Sequence, residues 1–267
     1  MKIMLDFNKF RACIIEFFLS HDLIDVFKKA ACGEDEFFIW NLKWKRDYNE
    51  DFKEDLDLLK DAIDLYDRAL SGKDMLAAKA GLMRASIKIQ DLSTSPFWSI
   101  SHNLIRILNN KNYNWPSLRK GYAIPREYLV GEVSEVDYQE LIDLNRIQKI
   151  LIDLVRTHGV TDEELKRVSK QTKRLRWGID LNSDFNKIFY EKLLALKIAF
   201  DGYEKASIQN DRRAARAILQ RIRLINFQLY HFLSAIRIAL VRALVDKRFW
   251  PSFPEDYRIP AHYNYRY

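Results

Sequence analysis

Cysteine, glycine and proline are scarce in this chain: 2, 8 and 6 among 267 residues. The two cysteines, Cys13 and Cys32, can build neither a disulfide framework nor a zinc pattern, and they read as buried thiols. So little glycine and proline leaves room for long uninterrupted helices. No stretch alternates apolar and polar residues as a half-buried strand would. No apolar run reaches the roughly 18 residues of a membrane span, and the core stretch Leu224–Ile236, free of Lys, Arg, Asp and Glu, is shorter. The opening MKIMLDFNKF lacks the charged-then-apolar layout of a signal peptide. The expectation is a soluble, non-secreted protein without a membrane span.

Catalytic signatures are scarce too. The five histidines, His21, His102, His158, His231 and His262, are dispersed, and no two sit at metal-ligand spacing. Glycine-rich phosphate loops and G-x-S-x-G are absent. The acidic run Asp51, Glu54, Asp57, Asp61 and Asp64 has the helical spacing of a magnesium site, and equally that of a solvated face that complements a helix N-terminus. The dipeptide His21-Asp22 has no companion ligands. No catalytic residue, metal or cofactor is expected, and the chain reads as a non-enzyme.

What is present is a repeated phrase. WPSLRKGYAIPREY, from Trp115, returns as WPSFPEDYRIPAHY, from Trp250, with seven of fourteen positions identical. Two further blocks recur in the same order. WKRDYNEDF from Trp44 pairs with WGIDLNSDF from Trp177, and the stretch from Tyr66 pairs with that from Tyr203, sharing Asp74/Asp211, Ala77/Ala214, Leu82/Leu219 and Arg84/Arg221. The offsets are 133, 137 and 135 residues. Collinear blocks of this kind point to a tandem duplication, with repeats at residues 1–135 and 136–267.

Both repeats read as helical bundles, so the fold class is all-α. In the first, Asn49 is placed to cap a helix rich in early acids, which Gly72 stops. A second helix covers about residues 73–92, Ser93–Pro96 breaks the chain, and a third runs to about Asn110. In the second, a helix near residues 137–157 is closed by Gly159, Thr161–Glu164 forms a capping box, and Ser183 caps a helix to about Lys205. A last helix spans roughly residues 211–248, with Ile218, Ile222, Ile225, Leu229, Leu233, Ile236 and Leu240 forming one seam. Each repeat ends in an extended Pro/Tyr-rich tail. These tails carry the candidate assembly residues Trp115, Tyr122, Tyr128, Trp250, Tyr257, Tyr263 and Tyr265. A tail can fold back on its own bundle, or dock as an arm on a neighbouring subunit.

Charge separates the repeats. Residues 1–135 hold 20 Lys+Arg and 21 Asp+Glu, and residues 136–267 hold 24 and 16, for nets of −1 and +8. Lys166, Arg167, Lys170, Lys173, Arg174 and Arg176 cluster without an acid, and Arg212, Arg216, Arg223, Arg237 and Arg248 fall on one side of the last helix, with Arg213 beside them. A solvated basic face, a phosphate-binding surface and a membrane-surface helix all fit. Cations spaced along long helices suit a nucleic-acid backbone, where affinity comes from displaced counterions and needs no base reading.

The plan, with its repeat size, basic helices and Tyr/Ile/Lys/Arg-rich composition, resembles the helical coat and nucleocapsid proteins of double-stranded-DNA viruses from hot-spring archaea. In those proteins paired, pseudo-symmetric subunits wrap DNA with basic helices and projecting arms. The resemblance implies a nucleoprotein that coats duplex DNA without sequence specificity, self-associates into a multimer, and resides in a virion or the host cytoplasm of a thermophile. Two other functions stay open: a helical adaptor for an acidic protein partner, and a metal-dependent nucleotide hydrolase using the acidic run.

Overall fold

The computed structural model describes residues 5–19, 47–111, 113–130, 142–157, 179–247 and 249–266. Among them there is no strand. The helices are α1 (Phe7–Leu19), α2 (Tyr48–Ser71), α3 (Met75–Leu92), α4 (Ser99–Asn109), α5 (Leu144–Thr157), α6 (Phe185–Ile208) and α7 (Arg212–Val245). The chain divides into two compact units. The first is Met1–Phe52, Thr94–Val136 and Glu191–Tyr230; the second is Lys53–Ser93, Asp137–Tyr190 and His231–Tyr267.

In the first unit, the starts of α1 and α2 cap each other. A helix begins with backbone N–H groups that have no partner within it, and side-chain oxygens must supply one. Here the oxygens cross over: Phe7 N donates to Asn49 Oδ1 at 2.8 Å, and Tyr48 N donates to Asn8 Oδ1 at 3.0 Å. The two amides are then held by the local caps, Asn8 Nδ2 donating to Asp47 Oδ1 (2.6 Å) and Asn49 Nδ2 to Asp6 Oδ1 (2.9 Å). Asp6 and Asp47 also accept from the backbone of their own first turns, at Lys9 N and Glu50 N. This fixes where the two helices enter the core. Phe7, Phe52 and Phe97 then meet edge to face, with centroids 5.2–5.9 Å apart, and Phe10 stacks on Phe200 at 4.0 Å. That geometry suits the ring quadrupoles.

The second unit repeats the device 137 residues on. Leu144 N donates to Asn186 Oδ1 (2.7 Å) and Phe185 N to Asn145 Oδ1 (2.9 Å). Asn145 Nδ2 donates to Asp184 Oδ1 (3.0 Å) and Asn186 Nδ2 to Asp143 Oδ1 (2.8 Å). Four copies of Asp-x-Asn, beginning at Asp6, Asp47, Asp143 and Asp184, therefore start four helices. Hydrogen bonds to the carboxylate, first from the backbone of Glu50 or Lys187, hold the Asp47 and Asp184 carboxyls below their ordinary value.

Two expectations are corrected here. Asp47 and Asp184, not Asn49 and Ser183, cap α2 and α6; the asparagines reach across instead, and Ser183 Oγ donates to Asp180 O. The register of the first sequence block is 137 and not 133, so Asp47 corresponds to Asp184 and Phe52 to Phe189. Trp44, Trp177, Gly159, the capping box at Thr161–Glu164, His21, His158 and Cys32 lie outside the described residues.

The turn from α2 to α3 and that from α6 to α7 match as well. Lys73 and Asn210 take left-handed φ values of 60° and 55°. Asp74 then caps α3 through Ala77 N, and Asp211 caps α7 through Ala214 N, each at 2.9 Å. Within the second unit α2 and α3 cross at Gly81, where a Cβ would sit 2.9 Å from Ala62 O and Tyr66 N. The first repeat's helix breaks at the π turn Ser93–Trp98, which holds Pro96 and a non-helical Ser95. Its counterpart α7 has Leu233 in place of that proline and runs unbroken for 34 residues. The predicted Ile/Leu seam of α7 is buried at all seven positions. Among the described residues α7 is the one helix long and apolar enough to cross a membrane by length and composition, with a mean hydropathy of 1.4 in its most apolar window, 39% of which is buried.

Replacing either crossing asparagine, Asn8→Ala or Asn145→Ala, strands a helix-start N–H and frees a carboxylate. Each variant is expected to lose about 1–2 kcal/mol, read as a lower urea midpoint at unchanged slope, while the exposed Asp57→Ala stays at wild-type stability.

Candidate nucleic-acid interface

The tail of the first repeat lies on the first unit. Trp115 Nε1 donates to Ile107 O (3.0 Å). Arg212 donates to Asn114 O (2.8 Å) and covers the Tyr113 ring at 4.8 Å, while Arg216 donates to Pro116 O (2.7 Å). Tyr128 is buried, and its hydroxyl donates to Gln209 Oε1 at 2.6 Å and lies 3.4 Å from Asp211 Oδ2. Burial, then the Asp211 carboxylate, raises the phenol's pKa. The fit is tight at Gly202, where a Cβ would lie 2.1 Å from Tyr128 O.

The second unit holds the other tail by the same contacts. Trp250 Nε1 donates to Ala243 O (3.0 Å), Lys79 donates to Pro251 O (2.8 Å) and covers the Phe253 ring at 4.5 Å, and Tyr263 OH donates to Asp74 Oδ2 (3.3 Å). Trp250 also meets Tyr66 edge to face, and burial, then Asp67 and Asp153, pushes the Tyr66 phenol up to about 12. Lys79 stands 137 residues before Arg216, and Pro116 stands 135 before Pro251. Tail cations thus bind backbone carbonyls, whose lone pairs have no ladder partner in an extended segment.

These contacts sort the sequence-derived residues. Of the assembly set, Trp250, Tyr128 and Tyr263 are buried, and Trp115, Tyr122, Tyr257 and Tyr265 are half-buried. Arg212 and Arg216 are spent on the tail. Arg213 is exposed, and Arg223 and Arg237 are half-buried. Among the described residues these three side chains make no hydrogen bond or ion pair, and neither do Arg221 and Arg242, two exposed arginines of α7 that spacing alone did not single out. Lys166, Arg167, Lys170, Lys173, Arg174, Arg176 and Arg248 lie outside the described residues.

The acidic run lies along α2. Asp64 pairs with Arg146 at 2.8 Å, beside Asp67 at 2.5 Å, and Glu54 and Asp57 face solvent. Among the described residues no group of three or more His, Cys, Asp or Glu side chains is arranged to hold a metal. Cys13 is half-buried and reduced. In the first unit a cavity of about 650 Å³ is lined by Lys9, Tyr113, Trp115, Tyr203, Glu204 and Arg212 among others. Its cations are already engaged: Lys9 pairs with Glu204 at 2.7 Å, a hydrogen bond that raises the lysine's pKa, and Arg212 holds the tail.

No family model matches this chain, and neither curated proteins nor solved structures give a match.

The weight of the site therefore rests on its own geometry, and the tail clasp is its most sharply tested part. Gly202→Ala adds a methyl where the Tyr128 carbonyl already sits. The gain in helix propensity, about 1 kcal/mol, is smaller than the cost of moving packed backbone, about 1–3 kcal/mol. The expected outcome is a lower melting temperature and severalfold faster tryptic cutting after Arg126.

Proposed function

We propose that this chain is a tandem-duplicated, non-enzymatic nucleoprotein that coats nucleic acid, duplex DNA foremost, by charge and shape. Many copies act together in a virion or in the host cytoplasm. The observation that carries the reading is the mismatch between framework and charge. Both repeats use the same caps and the same tail clasps, and the framework engages cations of its own, among them Lys9, Lys88, Arg146 and Lys197 in ion pairs and Lys79, Arg212 and Arg216 on the tails. The second repeat nevertheless carries a net +8 against −1 for the first. Arg213, Arg221, Arg223, Arg237 and Arg242 are surplus to the fold, and a run of uncommitted guanidiniums along one helix suits successive phosphates.

The matched Asp-x-Asn caps at one offset of 137 support the duplication, because hydrogen bonds that recur atom for atom need more than shared amphipathic character. The Pro/Tyr-rich tails belong to the fold in this reading, and nucleic acid meets helix faces.

Binding to random duplex DNA is expected to weaken linearly in log–log terms as salt rises, with a slope near −0.9 per phosphate neutralised. Changing Arg213, Arg221 and Arg223 together to Gln should flatten that slope by about 2–3, equally on every sequence, and leave the melting temperature in place. The pair Arg212→Gln and Arg216→Gln should instead lower the melting temperature through the tail. Wild-type protein that binds DNA without salt dependence, or not at all, would return the chain to the adaptor reading.

A further inference from the structure

We infer that the two repeats are reciprocally exchanged, so that the partner each one's open helix faces fit is a second copy of the same repeat. The inference rests on the duplication in the reading above, and not on nucleic-acid binding. The first compact unit is built from 1–52 and 94–136 of the first repeat together with 191–230 of the second. The second unit is built from 137–190 and 231–267 of the second repeat with 53–93 of the first. Shifted by 137 residues, the one division falls on the other. Each repeat keeps its capped helix start and its tail in one unit and places its helical hairpin in the other.

The contacts agree, and every one lies inside a unit. Lys9 of the first repeat pairs with Glu204 of the second; Arg146 of the second pairs with Asp67 of the first, which is the equivalent position. Phe10 stacks on Phe200 across repeats. The Tyr128 hydroxyl meets the α7 cap Asp211, and the Tyr263 hydroxyl meets the α3 cap Asp74. Arg216 holds the first repeat's Pro116, and Lys79 holds the second repeat's Pro251. Each exchange contact has its mirror, as an isologous interface between two copies requires: residue i meets j while j′ meets i′. In this arrangement each repeat's core is closed by the other repeat's hairpin. Covalent fusion supplies one at the millimolar effective concentrations typical of short tethers.

The test cuts the intact folded chain at a protease site engineered between Gly131 and Val136. Exchange predicts that the two fragments stay together as a 1:1 complex by native mass spectrometry and elute with the uncut protein, because each unit still needs both. In the cut protein Lys9→Glu places like charges beside Glu204 and Asp201, and should raise the fragments' dissociation constant by about fivefold to tenfold. Adding Glu204→Lys should bring it back to within about twofold. Fragments that part on cutting, folded or unfolded, would overturn the exchange, as would a Lys9→Glu defect that Glu204→Lys leaves unrepaired. Loss of DNA binding with the cut pair intact would count against the nucleoprotein reading alone.

Discussion

The fold depends on how helix starts are satisfied. A helix start leaves donors without intrahelical partners, and burying them unmet is costly. Four Asp-x-Asn segments solve this in two pairs, each asparagine capping the opposite helix while the opposite aspartate holds its amide. The knot sets the entry angle of α1 against α2 and of α5 against α6, and so decides which aromatic rings reach the core. Two further helix starts are used twice. Asp74 and Asp211 each cap a helix and meet a tail tyrosine, so tail docking is tied to helix initiation.

Cations then divide by task. Some that meet carbonyls or carboxylates recur between the repeats, Lys9 with Arg146 and Lys79 with Arg216, while others do not: Lys88 holds Asp55 and Asp91 where the second repeat has Ile225, and Arg212 holds Asn114 O where the first has Met75. Five arginines of α7 make no side-chain hydrogen bond or ion pair among the described residues, and opposite Arg213, Arg223 and Arg237 the first repeat has Leu76, Ser86 and Ile100 at the same offset. The proposed phosphate-binding role draws on these arginines of α7.

Much of this organisation was legible in the sequence, for identifiable reasons. The scarcity of Gly and Pro and the Ile/Leu seam of α7 carried the all-helical class, because helical period is written locally. Asp74/Asp211 and the Trp-Pro-Ser phrase were found because long blocks of identity survive there. The crossing caps are not legible there: Asp-x-Asn is three common residues long, and Trp44 and Trp177 favour a register four residues away from the structural one. Spacing along α7 groups Arg212 and Arg216 with the phosphate-facing cations, because it does not reveal a partner 98 or 100 residues away. The exchange was illegible for the same reason: both repeats offer chemically equivalent partners, and only tertiary structure chooses between them.

That choice is open to direct measurement. A zero-length carbodiimide crosslink joins a lysine only to a carboxylate in contact with it. In the intact chain Lys9 lies 2.7 Å from Glu204, while the equivalent carboxylate of its own repeat, Asp67, pairs with Arg146. Crosslinking followed by peptide mass spectrometry is predicted to join Lys9 to Glu204 in the monomeric band. A Lys9–Asp67 crosslink in that band would mean that each repeat closes on itself, and would contradict the account.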